Sequence, residues 1–358
     1  MGRKSGARRK MCAAFGERTM TGASADNASM KRRPLLQVER LSKLFAVSSG
    51  LWGKPSFARA VDDVTLHVRH AETLALVGES GCGKTTLGRC ILRLIEPTFG
   101  RIVFEGKDLS PLSQRQLRPF RKQMQIIFQD PYASLNPRMR IGDIVAEGIR
   151  IHRLASGSEV MDRVVAVLDS VGLSRDVIMR YPHEFSAGQR QRVGMARALA
   201  VEPSFMVCDE PVSALDVSVR AHILNLLQDL QEKRKIAYLF ISHDLGVVRH
   251  LSHRTAVMYL GKIVEVGPTD DVFSGPWHPY SRALLSAVPV ADPERKQLRM
   301  VLEGEVPSPI SPPSGCPFHP RCPKNDGVDC VQRMPPLREM PEGVHHRVAC
   351  WHPEGRTM

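Results

Sequence analysis

The sequence contains no apolar run approaching the roughly 18 residues that a membrane-spanning helix requires. Its longest apolar stretches, such as Ile236-Ala-Tyr-Leu-Phe-Ile-Ser242, have the length of buried strands. A spanning helix is therefore excluded, and a peripheral seat on a membrane stays open. The patch Met11-Cys-Ala-Ala-Phe15 is too short for the apolar core of a secretory signal. No internal repeat is visible. Acidic residues are the minority: 37 Asp+Glu face 50 Lys+Arg, for a formal net charge of +13. The excess is unevenly placed, because residues 1–33 hold nine Lys or Arg against only Glu17 and Asp26. That leader reads as a solvated, disordered segment, with a patch drawn to anionic lipid or nucleic acid as the alternative. Met30 offers a second possible start that would remove most of it. The remainder is only mildly basic. The whole chain's 42% hydrophobic and 24% charged residues are those of a folded protein, and 358 residues allow two ordinary domains or one large domain with an appendage.

Apolar strands alternate with helical patterns along the body. Leu36–Leu41 and Ala60–Val68 read as strands, and Thr73–Val77 as a continuous apolar run of the buried parallel kind. Residues 86–95 read as a helix stopped by Pro97, and residues 134–181 as mostly helical. A helix over Ala187–Ala200, a strand over Phe205–Cys208, a helix over Val219–Leu230 and a strand over Tyr238–Ile241 follow. The alternation predicts an α/β core with a parallel sheet. After Asp271 proline, glycine and cysteine become dense. The expected organisation is a leader over 1–33, a catalytic domain over 34–270 with a helical subdomain at about 134–195, and a C-terminal extension over 271–358.

Gly78-Glu-Ser-Gly-Cys-Gly-Lys-Thr85 matches G-x-x-x-x-G-K-S/T after a buried strand and at the start of a helix. In such a loop Gly78, Glu79, Ser80, Gly81, Cys82 and Gly83 wrap their backbone N–H groups around phosphates. Lys84 reaches the β and γ phosphates, the Thr85 hydroxyl meets Mg²⁺, and Thr86 is placed for the α phosphate. Cys82 is most simply a small filler. The strand Phe205–Cys208 ends in Asp209 and Glu210. A strand end can deliver Asp209 rigidly to Mg²⁺ and Glu210 to a water in line with the γ phosphate. The plainer reading of the two acids is helix capping, which the apolar run before them and Pro211 after them weaken.

Between these motifs lies Phe185-Ser-Ala-Gly-Gln-Arg-Gln-Arg-Val-Gly-Met-Ala-Arg-Ala-Leu199. This stretch resembles the signature of ATP-binding-cassette (ABC) ATPases, whose usual core is Ser-Gly-Gly-Gln. Gln129 matches the family's Q-loop, Ser213-Ala-Leu-Asp216 its D-loop and His243 its switch histidine. Phe45 sits where the family stacks adenine, though an aromatic there fits a core equally well. Asp130-Pro-Tyr-Ala-Ser-Leu-Asn-Pro137, Arg180-Tyr-Pro-His-Glu-Phe185, Trp277-His-Pro-Tyr280 and Glu303-Gly-Glu-Val-Pro-Ser-Pro309 narrow the likeness. They resemble the ATPase subunits of bacterial oligopeptide and dipeptide importers, the second of the paired ATPases most of all.

The resemblance implies a P-loop ABC ATPase with a RecA-like core, a helical signature subdomain and a C-terminal cysteine-containing extension. It implies ATP and Mg²⁺ as ligands, with Thr85, Gln129 and Asp209 around the metal. Glu210 would be the general base, Gln129 the sensor of metal and water, and His243 the γ-phosphate contact. Ser186, Gly188, Gln189 and Asp216 would serve a nucleotide shared with a second ABC ATPase, a different chain. Two membrane permease subunits and an external substrate-binding protein would complete the assembly, seated peripherally on the cytoplasmic face of the inner membrane. One position departs: the first signature glycine is Ala187, which matters only where the backbone needs positive φ or a very close phosphate approach.

Cys316, Cys322, Cys330 and Cys350 follow the spacing C-x5-C-x7-C-x19-C. A reducing cytosol disfavours disulfides. Four thiolates suit tetrahedral zinc or an iron–sulfur cluster, and the tight C-x2-C pairs of zinc ribbons are lacking. Some members of the resembled group hold a 4Fe–4S cluster at this pattern, which makes that the favoured expectation over zinc. Two other functions compete with a peptide importer's ATPase. An importer ATPase for another cargo such as nickel is one. A soluble ABC ATPase acting on ribosomes or nucleic acid is the other, and it is disfavoured because the chain holds one cassette and no inserted coiled coil. A regulatory subunit that binds ATP without hydrolysis conflicts with intact Lys84, Asp209, Glu210 and His243.

Overall fold

A computed structural model describes residues 33–47, 56–287, 300, 302–340 and 345–354. The basic leader, apart from Arg33, lies outside the described residues. The chain opens with two long antiparallel strands, β1 (Leu36–Val47) and β2 (Ser56–Val68). The buried strand β3 (Thr73–Val77) follows, then β4 (Phe99–Phe104) and β5 (Lys107–Asp108). Strands β1, β2, β4 and β5 form one antiparallel sheet in the order β2-β1-β4-β5. A second, eight-stranded sheet takes β3 with β6 (Met124–Ile127), β7 (Phe205–Asp209), β8 (Ala237–Ile241), β9 (Arg254–Tyr259), β10 (Lys262–Pro268), β11 (Arg338–Glu339) and β12 (Arg347–Val348). Its order is β11-β12-β10-β9-β3-β8-β7-β6, parallel from β9 to β6 and antiparallel beyond.

The continuous apolar runs of β3 and β8 follow from burial on both faces. Leu74 and Leu76 of β3 join Leu239 and Ile241 of β8 in one core, beneath the antiparallel sheet. Ala75 and Val77 join Tyr238 and Phe240 in the other core, beneath the helices. Burying a Leu or Ile side chain contributes about 1.5–3 kcal/mol, so each face is held by a substantial hydrophobic term.

The helix after β3 spans Lys84–Ile91, four residues shorter at its C-terminal end than the sequence pattern suggests. Arg93 takes a left-handed backbone (φ 53°) and its guanidinium bonds the Ser110 carbonyl at 2.7 Å, turning the chain before Pro97. The helical region after 134 is broken into Ile141–Ile151 and Glu159–Ser170, separated near Gly157, and ends in short 3-10 turns. The helix Ala187–Leu199 starts on a reciprocal cap: Ser186 Oγ accepts from the Gln189 N–H, and Gln189 Oε1 accepts from the Ser186 N–H. The change of composition at Asp271 falls inside the helix Thr269–Ser274. The chain beyond it returns to the large sheet, where β12 pairs with β10 through Glu265 and Val266.

Candidate functional site

Four adjacent parallel strands, β3, β8, β7 and β6, end on one edge of the large sheet, and each carries a sequence-predicted residue just past its end. Ligands of open α/β sheets bind at such carboxyl edges. Strand β3 runs into the phosphate loop. Gly78 (φ 153°) and Gly83 (φ 106°) are required there: a Cβ on Gly78 would lie 2.2 Å from the Met258 carbonyl oxygen, and one on Gly83 2.0 Å from that of Ala60. Lys84 is buried (5% exposed) and its Nζ donates to the loop's own Gly78 and Glu79 carbonyls at 2.8 and 2.9 Å. Its ammonium is thereby held inside the loop. Cys82 is buried beside it, and burial pushes its thiol up, with the Lys84 charge opposing. The geometry agrees with a packing role for Cys82 rather than a redox one. Ser80 and Gly81 are exposed and Thr86 is partly buried.

Strand β7 delivers Asp209 almost fully buried (1% exposed), and Thr85 Oγ1 donates to Asp209 Oδ1 at 2.8 Å. Burial raises the carboxyl's pKa, opposed by the Thr85 bond and the Arg89 charge. Glu210, the next residue, has φ 46°, a left-handed backbone that costs a non-glycine residue about 1–2 kcal/mol. Its N–H is held by the Ile241 carbonyl at 3.0 Å. This bend aims its carboxylate at two partners: Gln129 Nε2, beyond β6, donates to Oε2 at 2.9 Å, and His243 Nδ1, beyond β8, lies 3.2 Å from Oε1. The structure therefore brings Lys84, Thr85, Gln129, Asp209, Glu210 and His243 together.

The signature residues stand apart from this cluster: among the described residues no hydrogen bond or ion pair joins Ser186–Gln189 to the phosphate loop. Ala187 is the exposed first residue of its helix and is absent from the positive-φ positions, so its methyl meets no backbone constraint. Gly188 is buried against the helix Val217–Arg234, where a Cβ would meet Val219 Cγ1 at 2.4 Å. Asp216 is the N-cap residue of that helix. Phe45 lies on β1, 38% exposed, with the Lys43 ammonium 5.0 Å from its ring centroid.

The four C-terminal cysteines are free thiols lining one small cavity, with His278, Phe318 and His352 among their neighbours. Burial pushes Cys316 up to about 12 and Cys350 up to about 11, and raises Cys322 and Cys330 as well. His278 is buried, and its Nδ1 accepts from the Tyr280 N–H at 3.0 Å. That bond places the ring proton on Nε2, which is buried without a partner. Among the described residues, the group of three metal-type ligands drawn within 4.8 Å is Asp326, Cys330 and His352.

Sequence reasoning missed one feature. Glu79 of the phosphate loop is held by the C-terminal segment: its N–H, expected among the phosphate donors, instead donates to Tyr280 Oη at 2.8 Å, and Arg321 grips its carboxylate at 2.9 and 3.3 Å. Separations of 201 and 242 positions leave no local signal for either contact.

Residues 61–213 match the ABC transporter family, and residues 264–330 match the oligopeptide/dipeptide transporter C-terminal region. A probable peptide ABC transporter ATP-binding protein of Sinorhizobium fredii is 53% identical over 319 residues, covering 88% of this chain and 89% of its own. The oligopeptide transport ATP-binding protein OppF of Salmonella typhimurium is 50% identical over 327 residues, covering 89% and 96%. Among solved structures, the dimeric post-hydrolysis state of the ATP-binding cassette MJ0796, bound to ADP and Pi, matches with a TM-score of 0.59 at 26% identity. It covers 65% of this chain and 98% of that one. With the phosphate loop, the strand-end acids and these relatives in agreement, the chain belongs to the ABC transporter ATPase family.

Proposed function

We propose that this chain is the ATP-hydrolysing subunit of an importer of di- and oligopeptides. The observation that carries the catalytic half is the convergence of Gln129 and His243 on the Glu210 carboxylate, one residue beyond the Thr85–Asp209 bond. The peptide half rests on the peptide-transport function of relatives 53% and 50% identical and on the match of the C-terminal region.

ATP phosphates enter the cradle of Gly78–Thr86, and Lys84 exchanges its loop carbonyls for phosphate oxygens. Thr85 and Asp209 offer hard oxygen donors 2.8 Å apart, which fit Mg²⁺, with Gln129 completing its surroundings. When bound, that ion neutralises charge on the β and γ phosphates. Glu210 takes the proton of the attacking water, oriented by Gln129 and His243. Phe45 stacks the adenine. Ser186, Gly188, Gln189 and Asp216 serve the nucleotide of a second, different ATPase subunit docked head to tail, in keeping with the exposure of Ser186 and Gln189 and their lack of bonds to this chain's own loop. Opening and closing of that pair drives two permease subunits fed by a substrate-binding protein. The seat is peripheral, on the cytoplasmic face of the membrane, in keeping with the importer reading; no described helix is long and apolar enough to cross a membrane. In this reading residues 34–270 form the cassette, 134–195 its helical subdomain and 271–358 the cysteine-bearing extension.

Four thiols around one cavity, with an unpartnered His278 N–H beside them, fit a 4Fe–4S cluster. A single zinc ion needs four sulfurs about 2.3 Å from one point. Among the described residues one of the four thiols, Cys330, belongs to the group of three ligand atoms within 4.8 Å, and metal analysis of the purified protein decides between the two centres. Bound, the group would tie the extension together, and its loading would release the protons that burial holds on the thiols.

The test is transport by the reconstituted complex. Glu210→Gln should retain ATP and abolish hydrolysis and peptide uptake, and undiminished uptake would remove Glu210 from its role. Anaerobically purified protein should carry iron, acid-labile sulfide and a broad visible band. Stoichiometric zinc without colour would overturn the cluster.

A further inference from the structure

The phosphate loop carries an acid where it is meant to attract an anion. Across Gly78–Thr85 the only charged side chains are Glu79 and Lys84, so by itself the loop is neutral. Arg321, far along the chain, closes on Glu79 with a two-pronged grip at 2.9 and 3.3 Å, its side chain 8% exposed against 28% for Glu79. The residue is held from behind as well. Its N–H bonds the Phe318 carbonyl, in the short turn between Cys316 and Cys322. Phe318 packs on Tyr259 and Tyr280 with ring centroids 5.3 and 5.4 Å apart, and Tyr280 in turn takes the Glu79 N–H.

We propose that Arg321 is the counter-charge of the phosphate loop, a positioning residue that neutralises Glu79 and so lets Lys84 act as uncompensated positive charge toward the nucleotide. The inference rests on the reading of this loop as the ATP site and adds a dependence of that site on the cysteine-bearing segment. With Arg321 in place, the loop and its clamp carry one net positive charge. Without it, the Glu79 carboxylate is left beside the phosphates and cancels Lys84.

The test is a double-mutant cycle on full-length protein, reading ADP affinity by calorimetry and the fold by thermal unfolding. Arg321→Ala should weaken ADP binding about tenfold, and Arg321→Lys should recover most of the loss. Glu79→Gln alone should bind ADP more tightly than the wild type, because the loop and its clamp then carry two net positive charges. The double variant Arg321→Ala with Glu79→Gln should return to within about threefold of the wild type, because removing the acid removes the need for the counter-charge. The proposal falls if Arg321→Ala binds ADP within twofold of the wild type. It falls equally if the double variant is as weak as Arg321→Ala, since Arg321 would then act only by holding the fold. Should Arg321→Ala fail to fold, Arg321→Gln with and without Glu79→Gln gives the same comparison. A wild-type chain that binds no ADP would overturn the nucleotide reading itself, a result separate from either failure of the cycle.

Discussion

Replacing Glu265 by glutamine tests how the C-terminal segment is fastened to the sheet. Glu265 lies on β10, is fully buried, and accepts three bonds: from the Trp277 N–H at 2.7 Å, the His278 N–H at 3.0 Å and His346 Nε2 at 2.7 Å. A glutamine offers one acceptor oxygen in place of two. If that oxygen keeps Trp277 and His346, the amide NH₂ faces the His278 N–H, donor against donor. Leaving one buried donor unsatisfied costs about 1–3 kcal/mol, and loss of the charge on the other two bonds adds to it, for about 3 kcal/mol in all. In a chain of this size that corresponds to a fall of about 5 °C in the unfolding midpoint. The damage is local first, because the Trp277–His278 turn positions His278 on the cysteine-lined cavity and caps the helix Pro279–Ser286. Calorimetry should show the lowered midpoint, and maleimide labelling with mass spectrometry should show faster reaction at Cys316, Cys322, Cys330 and Cys350. An unchanged midpoint together with unchanged labelling would refute the reasoning.

Ala187→Gly should change the turnover of the assembled complex by less than about twofold, because Ala187 is an exposed first helical residue at negative φ; a gain above tenfold, about 1.4 kcal/mol of barrier, would contradict this. Gly188→Ala should destabilise by about 1–3 kcal/mol through overlap with Val219, and Val219→Ala should restore most of the melting temperature; a double variant no more stable than the single would place the fault elsewhere. His67 is held at about 4 by burial, with Arg254 adding to the effect. Its folded pKa lies below its unfolded one, so between about pH 6.5 and 4 the unfolded chain binds the extra proton. The stability this group contributes is full above about 6.5 and is lost as pH falls toward 4. A His67→Gln variant should lose less stability than the wild type between pH 7 and 5, and identical losses would count against it.

What the sequence made legible is what short spacing encodes. The phosphate loop, the strand-end acids and the signature helix are each written within fifteen or so residues, and each appears where its local pattern puts it. The order of the strands is not local information. That β1, β2, β4 and β5 leave the parallel sheet to form their own antiparallel one depends on pairings such as Leu36 with Val68 and with Phe104, which no window of the sequence contains. Helix ends fail for a related reason: Leu92–Ile95 has helical composition, but the buried Arg93 is drawn to the carbonyls of Ser110 and Leu112, and those tertiary bonds override propensity.

The site shows the same division and gives it a functional meaning. Gln129, Glu210 and His243 are named by motifs, yet their meeting is a product of the order β3-β8-β7-β6, which sets three loop starts side by side. The meeting also uses strain. Glu210 follows a straight buried strand, and in that course alone its side chain would continue the alternation of β7. Its left-handed backbone (φ 46°), pinned by the Ile241 carbonyl of β8, turns the carboxylate toward Gln129 and His243 instead. A cost of about 1–2 kcal/mol persists at a position only where the surrounding structure fixes it, and here the neighbouring strand does so directly. Asp209 and Glu210, adjacent in sequence, thereby receive different environments: one buried against Thr85, the other partly exposed between an amide and an imidazole. In the proposed mechanism that divergence would let two consecutive carboxylates divide the work, one holding a metal and the other accepting a proton, from a dipeptide that the sequence presents only as two acids.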